Sequence, residues 1–163
     1  MNRKTFIKNS LKGLALASIT PGLAFNDAPQ NYDENLVKDF VVAGHKNLPL
    51  VKEMLNEYPN LIFASYDWGN SDFEEVIEGA AHLGNKEIAN YLISKGARVN
   101  LFTLTMLGKT DLVIPTLEAY PDLTFSLGAH GFTLLHHAKV GDAKELIDYL
   151  EDQGLKETHV KIK

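Results

Sequence analysis

Apolar residues recur at helical spacing in several short segments of the chain, and small residues or glycines interrupt them. The clearest segment is 80–100, which reads AAHLGNKEIANYLISKGARVN. Gly84 and Gly96 stand where a left-handed residue would end a helix. An apolar stripe at helical spacing lies between the two glycines: Ile88, Leu92 and Ile93. The pattern predicts two short helices with a tight break at Gly84 and a helix end at Gly96.

The segment 80–100 resembles the second half of an ankyrin repeat, whose pattern runs Ala-Ala-x-x-Gly-x-x-x-Ile-x-x-x-Leu-Leu-x-x-Gly-Ala-x-Val-Asn. The positions that agree include Ala80, Ala81, Gly84 and Gly96. The small side chains of the alanine pair would let a neighbouring helix pair lie close. The resemblance implies a binding scaffold and does not name a ligand.

One such unit cannot bury its own apolar faces, so the repeat reading predicts further copies. Near the C-terminus, Thr133, His136 and His137 lie in a segment that looks like the Thr-Pro-Leu-His-x-Ala start of a repeat, which ends at Gly141. A second helix is predicted to follow there, over 143–154. Weaker copies of the helix-break-helix pattern occur over 41–55, where Gly44 or Lys46 would take the glycine position, and over 106–113, with its break at Gly108.

The spacing between breaks is uneven. Gly108 and Gly141 are 33 residues apart, the length that the family implies, whereas Gly84 and Gly108 are only 24 apart. The short interval predicts that the outward hairpin between these two copies is missing and that Asn100 caps the next helix directly. The first interval is longer and leaves an extended connection over 60–70.

These observations predict an all-α fold, an ankyrin-like helical solenoid of about four degenerate helix-turn-helix repeats over 32–154. A flexible lead at 25–31 would precede it and a C-terminal tail at 155–163 would follow it. Pro115 is expected to kink the second helix of the third copy or to delay its start. The last copy is one residue shorter than the family pattern, so either His136 or His137 could take the motif histidine position.

Residues 1–24 have the composition of an export signal. The first twelve positions hold four basic residues and no acidic one, an apolar stretch follows, and Gly22-Leu23-Ala24 gives a small-residue cleavage site. The start resembles the twin-arginine signal with Arg3-Lys4 in place of Arg-Arg. The apolar stretch is too short to span a membrane. We expect export to a bacterial periplasm, and a cytosolic amphipathic N-terminal helix is the alternative.

Charge and cysteine content narrow the partner classes. The chain has 16 Lys and Arg against 21 Asp and Glu, and the first 25 residues hold four of the basic residues and no acidic one. The remainder therefore has a formal charge of −9. That charge disfavours nucleic acid and anionic membrane and would attract a basic partner protein. The chain has no cysteine, which excludes disulfides and leaves stability to packing.

Candidate chemistry is sparse. His130, His136 and His137 suggest a metal or acid–base cluster, but the repeat resemblance implies a structural role, a hydrogen bond that ties adjacent loops. Glu74, Glu75 and Glu78 are explained as the acidic first turn of a helix that starts near Ser71 or Asp72. No catalytic, cofactor or metal-binding residue is therefore assigned. A small exported metal-dependent hydrolase that uses His136 and His137 is the alternative.

The predicted function is a non-catalytic protein–protein interaction scaffold that binds its partner through a concave acidic face. A stabilising or immunity accessory of an exported enzyme is a further alternative. Trp68 could serve as an exposed anchor or fold back to seal the longer connection. The candidate contact residues are Tyr66, Asp67, Trp68, Phe73, Phe102 and His130.

Overall fold

Helices follow one another in four pairs along the part of the chain that the computed structural model describes, residues 31–162. The predicted export signal, and all of the predicted lead except Asn31, lie outside the described residues. The pairs are α1 (Glu34–Lys46) with α2 (Leu48–Glu57), α3 (Val76–His82) with α4 (Lys86–Ser94), α5 (Leu101–Met106) with α6 (Thr110–Ala119), and α7 (Leu134–Val140) with α8 (Lys144–Asp152).

The first helices of the pairs contact one another in series. Helix α1 packs on α3, α3 on α5 and α5 on α7, and within each pair the second helix packs against the first. Helix α5 is only six residues long, and α3 also contacts α7 directly. The fold is mostly helical, as the sequence predicted, with one small two-stranded sheet in addition.

Polar side chains cap the starts of several helices, including the predicted cap at Asn100. The side-chain oxygens of Asn85, Asn100 and Thr133 each accept a hydrogen bond from the backbone N–H three residues later. The Asn100 cap follows α4 after a short turn with no strand in it. The predicted loss of a hairpin between the second and third pairs is therefore confirmed.

The breaks inside the last three pairs use left-handed residues, whereas the first break, at Asn47, has φ of −119° and the predicted left-handed residue at Gly44 or Lys46 is wrong. Gly84 and Gly108 have φ of +70° and +69°, which confirms the break predicted at Gly84. In the last pair Asp142, with φ of +50°, takes this conformation, while Gly141 stays right-handed. A Cβ on Gly141 would collide with the Met106 carbonyl, so this glycine serves the close approach of α5 and α7.

The second helix of the first and third pairs ends at a Tyr-Pro step. Tyr58 is the C-terminal cap residue of α2 and Tyr120 that of α6, and a proline, which disfavours helical backbone in the residue before it, follows each. A 3-10 turn follows each, Pro59–Phe63 and Pro121–Phe125. Helix α6 contains Pro115 and nevertheless begins at Thr110, so the delayed start was wrong.

An antiparallel hairpin leads from the first 3-10 turn to α3. Its strands are β1 (Ser65–Asp67) and β2 (Phe73–Glu75), with Tyr66 opposite Glu74. The helix predicted to start near Ser71 or Asp72 begins instead at Val76. Glu78 does lie in its first turn and accepts the Glu75 N–H in a capping box. The three acidic residues correctly predicted a helix start but placed it too early, because Phe73–Glu75 forms a strand and Glu75 is the N-cap of α3.

The apolar interior forms two clusters. One includes α1 to α4 and the predicted close-packing alanines Ala80 and Ala81, which are fully buried; the other includes α6 to α8. The segment after α8 is not a free tail, because Leu155 is buried in the second cluster and Val160 donates its N–H to the Gly131 carbonyl.

Candidate functional site

Three histidines and one glutamate from distant parts of the sequence converge where the hairpin meets the turn before α7. One nitrogen each of His45, His82 and His130 and a carboxylate oxygen of Glu74 lie within 4.8 Å of one another. We call these four residues the histidine–glutamate cluster. Of the three histidines in this cluster, only His130 was a candidate in the sequence analysis.

Local structure places each member. His45 lies in the last turn of α1 and His82 is the last residue of α3. The first helices of adjacent pairs pack together, so their C-terminal ends bring the two rings to a centroid distance of 4.8 Å. Glu74 points inward from β2 and is fully buried. His130 sits in a 3-10 turn, Ala129–Gly131, with a left-handed φ of +59°.

The ring nitrogens surround the Glu74 carboxylate. His45 Nε2 lies 3.4 Å and His82 Nδ1 3.3 Å from Glu74 Oε1, and His130 Nε2 lies 3.4 Å from Glu74 Oε2. Among the described residues, Glu74 Oε1 and His82 Nδ1 have no hydrogen-bond partner although both atoms are buried. The two short contacts to Oε1 therefore lack the direction of a hydrogen bond.

The opposite ring nitrogens fix the tautomers of two histidines. His45 Nδ1 lies 3.0 Å from the Val41 carbonyl oxygen, which can only accept, so Nδ1 carries the proton. His130 Nδ1 donates in the same way to Asp72 Oδ2 at 2.8 Å, and the His130 N–H donates to Asp72 Oδ1. When these rings are neutral, each presents the lone pair of Nε2 to the Glu74 carboxylate.

Burial sets the charge states of the interior members. It raises the pKa of Glu74, and the nearby rings of His45 and His130 partly offset this effect. Burial, with repulsion from His45 and His130, lowers the pKa of His82 to about 3. His82 is therefore neutral near pH 7 and does not form an ion pair with Glu74.

Trp68 and Tyr66 cover the cluster at its hairpin side. Trp68 Nε1 donates to Glu74 Oε2 at 2.7 Å, and the indole packs edge-on against Tyr66 and His130. The side chain is still 37% exposed. Trp68 therefore seals the connection, while part of its surface stays exposed. Asp67 is exposed and caps the hairpin turn through the Gly69 N–H.

A second feature, a shallow cavity of about 340 Å³, lies beside the cluster. Phe73 and Phe102 line it together with the carboxylates of Asp72 and Glu78, and no Lys or Arg is among its lining residues. We call it the aromatic groove. Burial raises the pKa of Glu78, which also accepts a hydrogen bond from Asn100 Nδ2. The groove brings together two predicted contact residues, Phe73 of β2 and Phe102 of α5.

The remaining histidine candidates bind backbone oxygens. His136 Nε2 lies 2.8 Å from the His82 carbonyl oxygen and links α7 to α3. His137 is buried, and its Nδ1 lies 2.8 Å from the Thr133 carbonyl oxygen. His136 follows Thr133 by three residues and links two helices, whereas the sequence analysis expected the motif histidine to tie adjacent loops.

His137 should make the stability of the fold depend on pH. Burial lowers its pKa to about 4, so between pH 6.5 and 4 the unfolded chain binds a proton that the folded chain does not. Unfolding free energy should therefore fall as pH drops through this window, by about 1.4 kcal/mol per pH unit for this one group.

Urea unfolding at several pH values measures this slope. In His137→Gln the slope between pH 6.5 and 4 should become shallower by that amount, whereas substitution of the exposed His159 to Gln should leave it unchanged. Equal slopes in the wild type and His137→Gln would contradict the assignment.

Sequence reasoning missed three of the four cluster residues as ligands. A weak signal existed for two of them, because His45 and His82 stand two and three residues before the Asn47 and Asn85 caps of second helices, so both lie near the end of a first helix. Nothing in the sequence indicated that Glu74 points inward, since its neighbours predicted a helix.

Comparison with known proteins gives no match: no protein-family model, no curated protein and no solved structure matches this chain. Within residues 31–162, no helix has both the length and the hydropathy that a membrane crossing needs.

Proposed function

We propose that this chain is an ankyrin-like repeat scaffold that binds a partner protein and does not catalyse a reaction. Four helix pairs in series, left-handed breaks inside three of them and glycines or alanines at the close approaches support this architecture. The proposal includes export to the periplasm, which rests on the composition of residues 1–24 alone.

The aromatic groove is the observation that carries the proposal. Phe73 is 56% exposed although its ring is large and apolar, and it borders a cavity whose ionisable lining residues are both acids. An exposed aromatic ring beside two acidic side chains, with no Lys or Arg among the groove's lining residues, suits a protein segment that presents a Lys or Arg next to an apolar residue. The formal charge of −9 after residue 25 would speed its association with a basic partner.

Site-specific photocrosslinking tests the groove. A photoreactive phenylalanine analogue is placed at Phe73 or at Phe102 in the full chain, which is then irradiated in an extract of the cells that produce it. Both positions should yield the same covalent adduct with one protein, and the yield should fall as salt is raised from about 0.05 M to 0.5 M, because salt screens the charge attraction.

Phe125 provides the matched control. It is 58% exposed, close to the value for Phe73, but it does not line the groove. The same analogue at Phe125 should not yield the adduct. An adduct that forms equally well from Phe125, or groove positions that give none, would refute this surface as the binding site.

A further inference from the structure

The geometry points to a metal site in the histidine–glutamate cluster: we propose that His45 Nε2, His82 Nδ1, His130 Nε2 and the Glu74 carboxylate hold one divalent transition-metal ion of the zinc type. This inference goes beyond the proposed scaffold function and does not depend on it.

The spacing of the donor atoms fits four-coordinate zinc. Bonds of about 2.0–2.1 Å from a central ion in tetrahedral geometry place neighbouring ligand atoms roughly 3.3–3.4 Å apart. His82 Nδ1 and His45 Nε2 lie 3.3 and 3.4 Å from one carboxylate oxygen, Glu74 Oε1, and His130 Nε2 lies 3.4 Å from the other oxygen, Oε2. One donor atom from each of the four residues lies within 4.8 Å of the others. Ligand atoms of this kind would lie at such distances without pointing at one another, as the contacts to Glu74 Oε1 do.

Groups outside the cluster orient the ligands in the manner of known metal sites. Histidine ligands usually donate their second N–H to a carboxylate or a backbone carbonyl, which fixes the ring and directs the other lone pair to the ion. The Val41 carbonyl does this for His45, and Asp72 does it for His130. Trp68 Nε1–H holds the Glu74 carboxylate from the other side.

Gly79 supports the proposal because a larger residue at this position would collide with the His45 ring. Gly79 lies inside α3, where Ala would favour the helix by about 1 kcal/mol. A Cβ at this position would come within 2.8 Å of His45 Nδ1 and 3.4 Å of Glu74 Oε1. The missing side chain therefore leaves room for the ring against the helix.

Protons alone leave this arrangement less well satisfied than a cation does. A hydrogen bond can join only one pair of these atoms at a time. The His82 Nδ1 and Glu74 Oε1 atoms are both buried, and buried polar atoms without partners are costly. One metal ion would satisfy all four donors together.

The ligand chemistry selects the class of ion. Imidazole nitrogens suit Zn²⁺, Cu²⁺, Fe²⁺ and Ni²⁺, whereas Mg²⁺ and Ca²⁺ prefer sites made of oxygen atoms. The ligands come from α1, β2, α3 and the turn before α7, so the bound ion would join segments from His45 to His130. It would act as a structural clasp across the first three connections of the fold.

Zinc titration of the untagged full chain tests the site. The chain is stripped with a chelator, dialysed and titrated with Zn²⁺ by calorimetry, and Co²⁺ is added separately to read its visible bands. One ion should bind per chain, Co²⁺ should show the intense bands of tetrahedral coordination, and Mg²⁺ should produce neither signal. Glu74→Gln and His82→Gln should each weaken Zn²⁺ binding at least 100-fold.

Three further variants keep the test decisive if a buried substitution unfolds the chain. His130→Gln alters a partly exposed turn residue and should also lose Zn²⁺ affinity, while His159→Gln, which removes an exposed histidine outside the cluster, should retain it. Gly79→Ala removes no ligand, but it should displace the His45 ring and weaken binding about 10- to 100-fold with little change in the melting temperature.

Two results would overturn the proposal. One is the absence of saturable Zn²⁺ and Co²⁺ binding to the folded wild-type chain, verified by its circular dichroism. The other is binding that His130→Gln and Gly79→Ala leave unchanged, which would mean an adventitious ion only, held elsewhere on the surface.

Discussion

Zn²⁺ in excess should raise the melting temperature of the metal-stripped chain by roughly 10 °C. A ligand that binds only the folded state at a free concentration about 100 times its dissociation constant contributes about 2.7 kcal/mol, and each kcal/mol shifts the midpoint of a domain of this size by a few degrees. Zn²⁺ should stabilise the folded state selectively, because the four proposed ligands lie close together only in the folded chain.

Differential scanning calorimetry of wild type and His130→Gln, each with chelator and with Zn²⁺, separates this effect from unspecific salt stabilisation. The rise should disappear in His130→Gln and persist in His159→Gln. A wild-type chain that binds one Zn²⁺ by calorimetric titration yet melts at the same temperature with and without it would show that the ion is not a clasp.

Gly84→Ala should destabilise the fold far more than Gly96→Ala, although both glycines have positive φ, +70° and +93°. An L-residue in the left-handed conformation costs about 1–2 kcal/mol at either position. At Gly84 the added Cβ would also lie 2.5 Å from the Val140 carbonyl oxygen, whereas at Gly96 no atom lies within 4 Å. Separating α3 from α7 to relieve that contact adds about 1–3 kcal/mol.

Urea unfolding of the two variants measures the difference directly. We expect losses of about 2–5 kcal/mol for Gly84→Ala and about 1–2 kcal/mol for Gly96→Ala, with similar dependence on urea concentration. Equal losses would mean that the contact between the Gly84 break and the end of α7 carries no energy, and that α3 and α7 are not firmly packed.

The helix pattern was largely predictable because it depends on local chemistry. The breaks at Gly84 and Gly96 and the cap at Asn100 follow from backbone conformation and side-chain hydrogen bonding within a few residues. The Tyr58-Pro59 terminator is local in the same way. The misplaced helix start shows the limit, since Glu78 signals a first turn but not whether a strand precedes it.

The candidate site was not predictable, because its members meet only through packing between distant segments. The 24-residue interval correctly predicted the missing hairpin, but it does not indicate which segments come into contact as a result. With no hairpin after the second pair, the turn that carries His130 reaches the hairpin that carries Glu74, 56 positions earlier.

The sequence by itself determined a mostly helical chain of paired helices with defined breaks, and an acidic composition after its basic start. Periodicity, capping and turn formation depend on residues close together in the sequence, so they can be predicted from the sequence directly. Only the tertiary structure decided that Glu74 is buried, that His45, His82 and His130 surround it, and that Phe73 and Phe102 share a groove. These are contacts between segments far apart along the chain, and no local rule specifies the distance between their side chains.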